Sequence, residues 1–166
     1  MTYSNQNQND AHGAARSGAQ REKALKDKFS SFGFTLVKNK SECKNAGVAY
    51  EGNVKFAATG DYQECGFKYF LADGYCPELD IITELKGGDK SGTTEEKIFF
   101  DLVKLQDGCY GNKTLVYIFE GKKETDKCSL LFTKKLHQLQ QAGVIRHNVY
   151  VVNYSQLTKE ILTSFA

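Results

Sequence analysis

The sequence predicts a single α/β domain in which helices flank a mixed central β-sheet. The chain has 166 residues, of which 40% are hydrophobic and 12% aromatic, enough to form one buried core. Helical and strand patterns alternate along it, and the first strand candidates follow one another closely whereas the later ones are separated by helices. Close strands pair antiparallel and strands joined through a helix pair parallel, so we expect a sheet that contains both arrangements.

Residues 1–16 are predicted to form a flexible N-terminal arm, because they are rich in Asn, Gln, Ser, Gly and Ala and contain almost no large apolar side chain. Residues 17–166 are predicted to form the single folded domain, without internal repeats. This domain opens with a helix over Gly18–Ser31, where Ser17 and Gln20 have the spacing of a capping box and apolar residues recur at helical intervals.

Short strands are expected next, over residues 34–37, 54–58, 67–71 and 79–86. A second helix begins near Thr94, where Thr93 and Glu96 have the spacing of another capping box. The uniformly apolar run Thr114–Phe119 indicates a strand that is covered on both faces. The remaining elements are a helix over 126–141, a strand over Val149–Asn153 and a last helix capped by Ser155.

Composition excludes several classes of protein. No apolar run reaches the roughly 18 residues that a membrane span needs, so no membrane partner is expected. The net charge of +2 neither requires nor excludes nucleic acid. The five cysteines form no Cys-x-x-Cys pair, which argues against structural zinc. Since residues 1–15 contain no apolar stretch typical of a secretory signal, we expect free thiols in the cytoplasm.

The segment 79–86 places charged side chains on an otherwise apolar strand. Because strand side chains alternate between faces, Asp80, Glu84 and Lys86 are expected on one face. Charges at the end of a hydrophobic strand are costly unless they are solvated, paired or used. Glu-x-Lys occurs four times in the chain, but only this copy ends a hydrophobic strand and precedes a Gly-rich turn and a helix.

An acid upstream completes the pattern. Asp73 closes the preceding strand candidate, with ten residues between it and Glu84. Carboxylates on neighbouring strands can hold a divalent cation, which lowers the pKa of a bound water and offsets charge on a phosphate. A lysine beside them, such as Lys86, can orient the attacking water.

The pattern Asp73-x10-Glu84-Leu-Lys86, in this order of helices and strands, resembles the PD-(D/E)XK nuclease superfamily over about residues 18–153. It is most similar to type II restriction endonucleases, of the EcoRI and MunI kind in the Asp-Gly before the strand and of the PvuII kind in size and in the Glu-Leu-Lys strand end. The resemblance implies a restriction-endonuclease-like fold, Mg²⁺ held by Asp73 and Glu84, and a catalytic Lys86 that serves the attacking water.

The resemblance also implies DNA contacts after the catalytic strand, at Thr93, Thr94, Glu96 and Lys97. Lys90, a basic residue near the proposed site, fits a contact with a DNA phosphate. Two features depart from the family or leave its assignment open. Ala72 replaces the proline of the family motif, and Asp80 and Asp61 compete with Asp73 as the metal-binding aspartate. Glu22, on the first helix, matches a position where related nucleases carry an accessory acid.

The sequence therefore predicts a Mg²⁺-dependent, site-specific endodeoxyribonuclease that hydrolyses phosphodiester bonds of double-stranded DNA, as in a restriction system. One catalytic site per chain and a palindromic target imply a homodimer. Two alternatives stay open. One is a homing, repair or junction-resolving nuclease of the same fold, and the other is a non-catalytic α/β DNA-binding protein in which Glu84 and Lys86 merely pair.

Overall fold

The computed structural model describes residues 17–88 and 93–166. The predicted arm, residues 1–16, and Lys90 lie outside this part. The helices are α1 (Gly18–Ser31), α2 (Lys40–Asn45), α3 (Gly60–Glu64), α4 (Thr93–Gln106), α5 (Lys127–Gln141) and α6 (Lys159–Phe165). The strands are β1 (Lys55–Ala57), β2 (Tyr69–Leu71), β3 (Gly74–Cys76), β4 (Ile81–Lys86), β5 (Thr114–Phe119) and β6 (Val149–Asn153). Short 3-10 helices cover Gly121–Glu124 and Tyr154–Gln156.

The central sheet is mixed, as predicted. Its strand order is β3-β4-β5-β6, with β3 antiparallel to β4 and the pairs β4–β5 and β5–β6 parallel. Both parallel connections run through a helix, α4 and then α5. The prediction of an α/β protein with a mixed sheet flanked by helices is therefore confirmed.

Two packed layers explain why β5 is apolar on both faces. On one face, Tyr117 of β5 belongs to a core that also contains Leu102 of α4 and Phe132 of α5. On the other face, Val116 packs in a second core with Phe29 of α1 and residues of α6. β5 is thus buried between two helical layers, which is the arrangement its unbroken hydrophobic run predicts.

The early strands differ from the prediction. β1 and β2 pair with each other, as a two-stranded antiparallel sheet that is separate from the central one. Residues 34–37 form no strand, and only Val37 makes a bridge, to Tyr75. β3 was not predicted, because a three-residue strand that begins with glycine is too short to show an alternating pattern.

Helix starts follow local side-chain chemistry. The Ser17–Gln20 capping box forms as predicted. The prediction that Ser155 caps the last helix is wrong, since its hydroxyl donates to Glu124 and Thr158 caps α6 instead. Within the described ranges, none of the helices combines the length and the apolar character needed to cross a bilayer.

Candidate active site

Asp73, Glu84 and Lys86 come together at the carboxyl end of β4. Gly74 of β3 pairs antiparallel with Thr83 of β4. The residue before Gly74, which is Asp73, therefore lies beside the residue after Thr83, which is Glu84. The Asp73 amide donates to the Thr83 carbonyl oxygen at 3.1 Å. The Leu85 amide in turn donates to Asp73 Oδ2 at 2.7 Å, which fixes this carboxylate against the end of the strand. The register of β3 on β4 therefore positions two adjacent carboxylates.

Glu84 is almost fully buried, on the sheet face that α4 covers. Its side chain is 7% exposed. Its Oε1 accepts a hydrogen bond from the Tyr110 hydroxyl at 3.4 Å, and its Oε2 lies 3.7 Å from Lys86 Nζ. Both carboxylate oxygens thus face groups of this chain.

A third acid, Asp101, which sequence reasoning missed, pairs with the lysine. Lys86 Nζ lies 3.0 Å from Asp101 Oδ2, and Lys104 Nζ lies 3.1 Å from Asp101 Oδ1. Lys104 Nζ also donates to the Tyr110 hydroxyl at 3.0 Å. Glu84, Lys86, Asp101, Lys104 and Tyr110 therefore close a ring of contacts, which we call the polar ring.

One sequence signal could have identified Asp101. It follows Ile98 by three residues and precedes Leu105 by four, so it occupies the same face of α4 as the apolar stripe. An aspartate on such a stripe must be paired when the helix packs. Its partner could not be read from the sequence, because the contact joins α4 to β4.

With all groups ionised, Asp73, Glu84 and Asp101 against Lys86 and Lys104 would give the site a formal surplus of one negative charge. Burial raises the pKa of Glu84 well above its usual value, and the charge of Asp73 raises it further. Burial alone lowers the pKa of Lys86, but the carboxylates of Glu84 and Asp101 outweigh it and raise that pKa. The carboxylates of Asp73 and Asp101 thus raise the pKa of Glu84, whereas the ammonium groups of Lys86 and Lys104 lower it.

This surplus is compatible with a bound cation. Adjacent carboxylates are the hard oxygen ligands that Mg²⁺ prefers, and Asp73 and Glu84 supply two of them. In residues 17–88 and 93–166, no group of three or more Asp, Glu, His or Cys side chains is arranged to hold a metal. A Mg²⁺ ion at this site would therefore depend on water and substrate oxygens for its other ligands, as Mg²⁺ commonly does.

The pKa of Glu84 leads to a stability prediction. A carboxyl whose pKa is raised on folding contributes full stability below its ordinary value of 4.5 and loses that contribution as the pH rises through the raised value. Glutamine does not ionise, so Glu84→Gln removes this loss of unfolding free energy at high pH. We expect the variant to gain on the order of 1 kcal/mol of unfolding free energy over the wild type at pH 8, but not at pH 4.

Urea unfolding of both proteins at pH 4 and pH 8 measures this difference. A variant less stable than the wild type at pH 8 would contradict it and would show that the buried carboxylate serves stability.

The competing acids lie elsewhere. β4 begins at Ile81, so the prediction that Asp80 shares the strand face of Glu84 is wrong. Asp80 occupies the turn before the strand, with a positive φ of 52°, and accepts from the Tyr75 hydroxyl at 2.7 Å. It also pairs with Lys113. Asp61 is in the first turn of α3.

Glu22 adjoins the site indirectly. It forms an ion pair with Lys38 and lines a cavity of about 210 Å³ between α1 and the sheet. Asp73 and Leu85 line the same cavity. The accessory acid suggested by the sequence thus faces the same space as Asp73, with its charge balanced by a lysine.

The predicted DNA-contacting residues are only partly described. α4 begins at Thr93, so Thr93, Thr94 and Glu96 lie in its first turn, but their side chains fall outside the described part. Lys97 follows them and is exposed. The start of α4 therefore has the expected place in the chain, directly after the carboxyl end of β4.

Comparison of this chain with protein-family models, with curated proteins and with solved structures finds no match.

Proposed function

We propose that the chain is a Mg²⁺-dependent endodeoxyribonuclease of the PD-(D/E)XK type, with a restriction-endonuclease-like fold, that cuts double-stranded DNA at specific sites. The observation that carries this proposal is the placement of Asp73, immediately before β3, beside Glu84 of β4, with Lys86 at the end of β4. The repulsion between the charges of Asp73 and Glu84, which a bound cation would relieve, also supports it.

Each residue has a distinct role in this proposal. Asp73 and Glu84 hold the metal, and the bound metal supplies a water of lowered pKa and offsets charge on the phosphate. Lys86, which keeps its ammonium form, orients the attacking water and stabilises the developing negative charge. Lys90 and the first turn of α4 contact DNA, since free amides at a helix start favour phosphate.

Two further features belong to the proposal. One such site per chain requires two chains to cut both strands of a palindrome, so the enzyme is a homodimer. All five cysteines are free thiols, which fits a reducing compartment such as the cytoplasm.

The polar ring favours a second candidate, a non-catalytic α/β DNA-binding protein. The shorter ion pair of Lys86 is with Asp101, at 3.0 Å, and not with Glu84, at 3.7 Å. In such a protein the buried charges would serve only packing and specificity of the fold.

Incubation of the purified protein with plasmid DNA, with Mg²⁺ or with EDTA, separates the candidates. We expect discrete bands with Mg²⁺ only, and none with Lys86→Ala. The same assay with a four-way junction and with a lesion-containing duplex, at equal concentrations, tests the junction-resolving and repair alternatives. Binding of DNA without Mg²⁺-dependent cutting of any substrate would establish the non-catalytic candidate.

Lys97→Ala tests the role of α4 in recognition. We expect it to relax sequence preference by roughly tenfold, measured as cleavage of near-cognate against cognate sites, because a lysine can donate to base edges. The exposed Lys127 in the first turn of α5 provides the matched control, Lys127→Ala. A fall in the melting temperature of Lys97→Ala without any change in sequence preference would refute the recognition role.

A further inference from the structure

Within residues 17–88 and 93–166, Asp101 is the closest ion-pair partner of the proposed catalytic lysine. The Lys86 ammonium lies 3.0 Å from Asp101 Oδ2 and 3.7 Å from Glu84 Oε2. Asp101 is 4% exposed and lies on the face of α4 that packs against the sheet. This aspartate therefore reaches the site from an element other than the strand that carries Glu84 and Lys86.

The contacts of Asp101 extend to Glu84 by a second route. Its Oδ1 pairs with Lys104, one turn further along α4, and Lys104 contacts the Tyr110 hydroxyl. Tyr110 is 1% exposed and donates to Glu84. Asp101, Lys104 and Tyr110, which follow β4 in the sequence, thus hold both Glu84 and Lys86 through the polar ring.

A lysine depends on such an anchor for a defined position. Its ammonium is a point charge at the end of a flexible four-carbon stem. Catalysis by a positioned group falls steeply when the group is displaced by about 1 Å. The Asp101 carboxylate restricts this freedom, because its Oδ2 lies 3.0 Å from the ammonium in an ion pair.

We propose that Asp101 is a positioning residue, which holds Lys86 Nζ beside Glu84 so that the lysine can serve the attacking water. The proposal rests on the nuclease function proposed above. It adds to the site a residue of α4, the helix whose first turn is proposed to contact DNA, so that one helix supports both recognition and the catalytic lysine.

The test compares two ion pairs of the same spacing, each of which includes a buried residue. Asp101 pairs with Lys104 three residues later, and Lys123 pairs with Asp126 three residues later at 2.9 Å. The double variant Asp101→Asn/Lys104→Met removes the first pair and leaves the net charge unchanged. The double variant Lys123→Met/Asp126→Asn removes the second, which lies outside the polar ring.

We expect the first double variant to lower kcat for Mg²⁺-dependent cleavage by at least about tenfold, with KM for DNA within about threefold. The second double variant should keep kcat within about threefold of the wild type. Asp101→Glu, which retains the charge, should have a kcat at least about threefold higher than that of the first double variant. Mg²⁺ titrated into the DNA-free variants should bind with wild-type affinity, because Asp73 and Glu84 are retained.

Two results would overturn the positioning role while leaving the nuclease function intact: an unchanged kcat in the Asp101 variants, or a loss of Mg²⁺ affinity equal to the loss of rate. In the latter case Asp101 would act on the metal carboxylates rather than on Lys86. A wild-type protein that cuts no DNA with Mg²⁺ would overturn the nuclease function first and this inference with it.

Discussion

Glu84→Gln is expected to lower the rate of Mg²⁺-dependent DNA cleavage by on the order of a hundredfold or more. The change keeps the volume of the side chain and leaves an amide oxygen that can accept from the Tyr110 hydroxyl. What it removes is the negative charge that would bind the metal. Lys86→Ala is expected to have an effect of similar size, because it removes the group that orients the water.

The measurement is single-turnover cleavage of plasmid DNA at saturating Mg²⁺. Glu78→Gln is a matched control, because the Glu78 carboxylate also accepts hydrogen bonds within the chain, from Thr35, but lies in the segment before β4. It should retain the wild-type rate within about threefold. If Glu84→Gln keeps more than about a tenth of the wild-type rate, the proposed site is wrong.

Elements with a strong periodic pattern could be predicted from the sequence. α1, β5 and β6 have the predicted bounds, because a capping box marks the first and uninterrupted apolar runs mark the other two. The separation of β1 and β2 into a sheet of their own could not be predicted, because pairing depends on contacts that a local pattern does not contain.

The same limit applies to the site. Alternation along β4 and the nearby Asp73 predicted that Asp73, Glu84 and Lys86 lie close together, but they did not predict Asp101. The sequence left open whether the charges of Glu84 and Lys86 are solvated, paired or used. In the structure α4 covers Glu84, and Asp101 reaches Lys86 across this interface. Activity and stability of variants at this site must therefore be measured together.

Asp73→Asn is expected to be as damaging as Glu84→Gln, with a loss of on the order of a hundredfold in cleavage rate. Asp73 is held by the Leu85 amide at 2.7 Å, and an asparagine oxygen can keep this hydrogen bond. The backbone arrangement should therefore survive while the ligand charge is lost. The melting temperature should stay close to that of the wild type.

Asp80→Asn is the matched control, and it should retain the wild-type rate within about threefold. Asparagine tolerates the positive φ of 52° at this turn and can still accept from the Tyr75 hydroxyl, so only the ion pair with Lys113 is lost. Asp80 also precedes Glu84 by four residues, roughly 13 Å along an extended chain, which is too far to share one metal ion. Parallel cleavage assays of the two asparagine variants give the ranking, and the opposite order would transfer the role of metal ligand from Asp73 to Asp80.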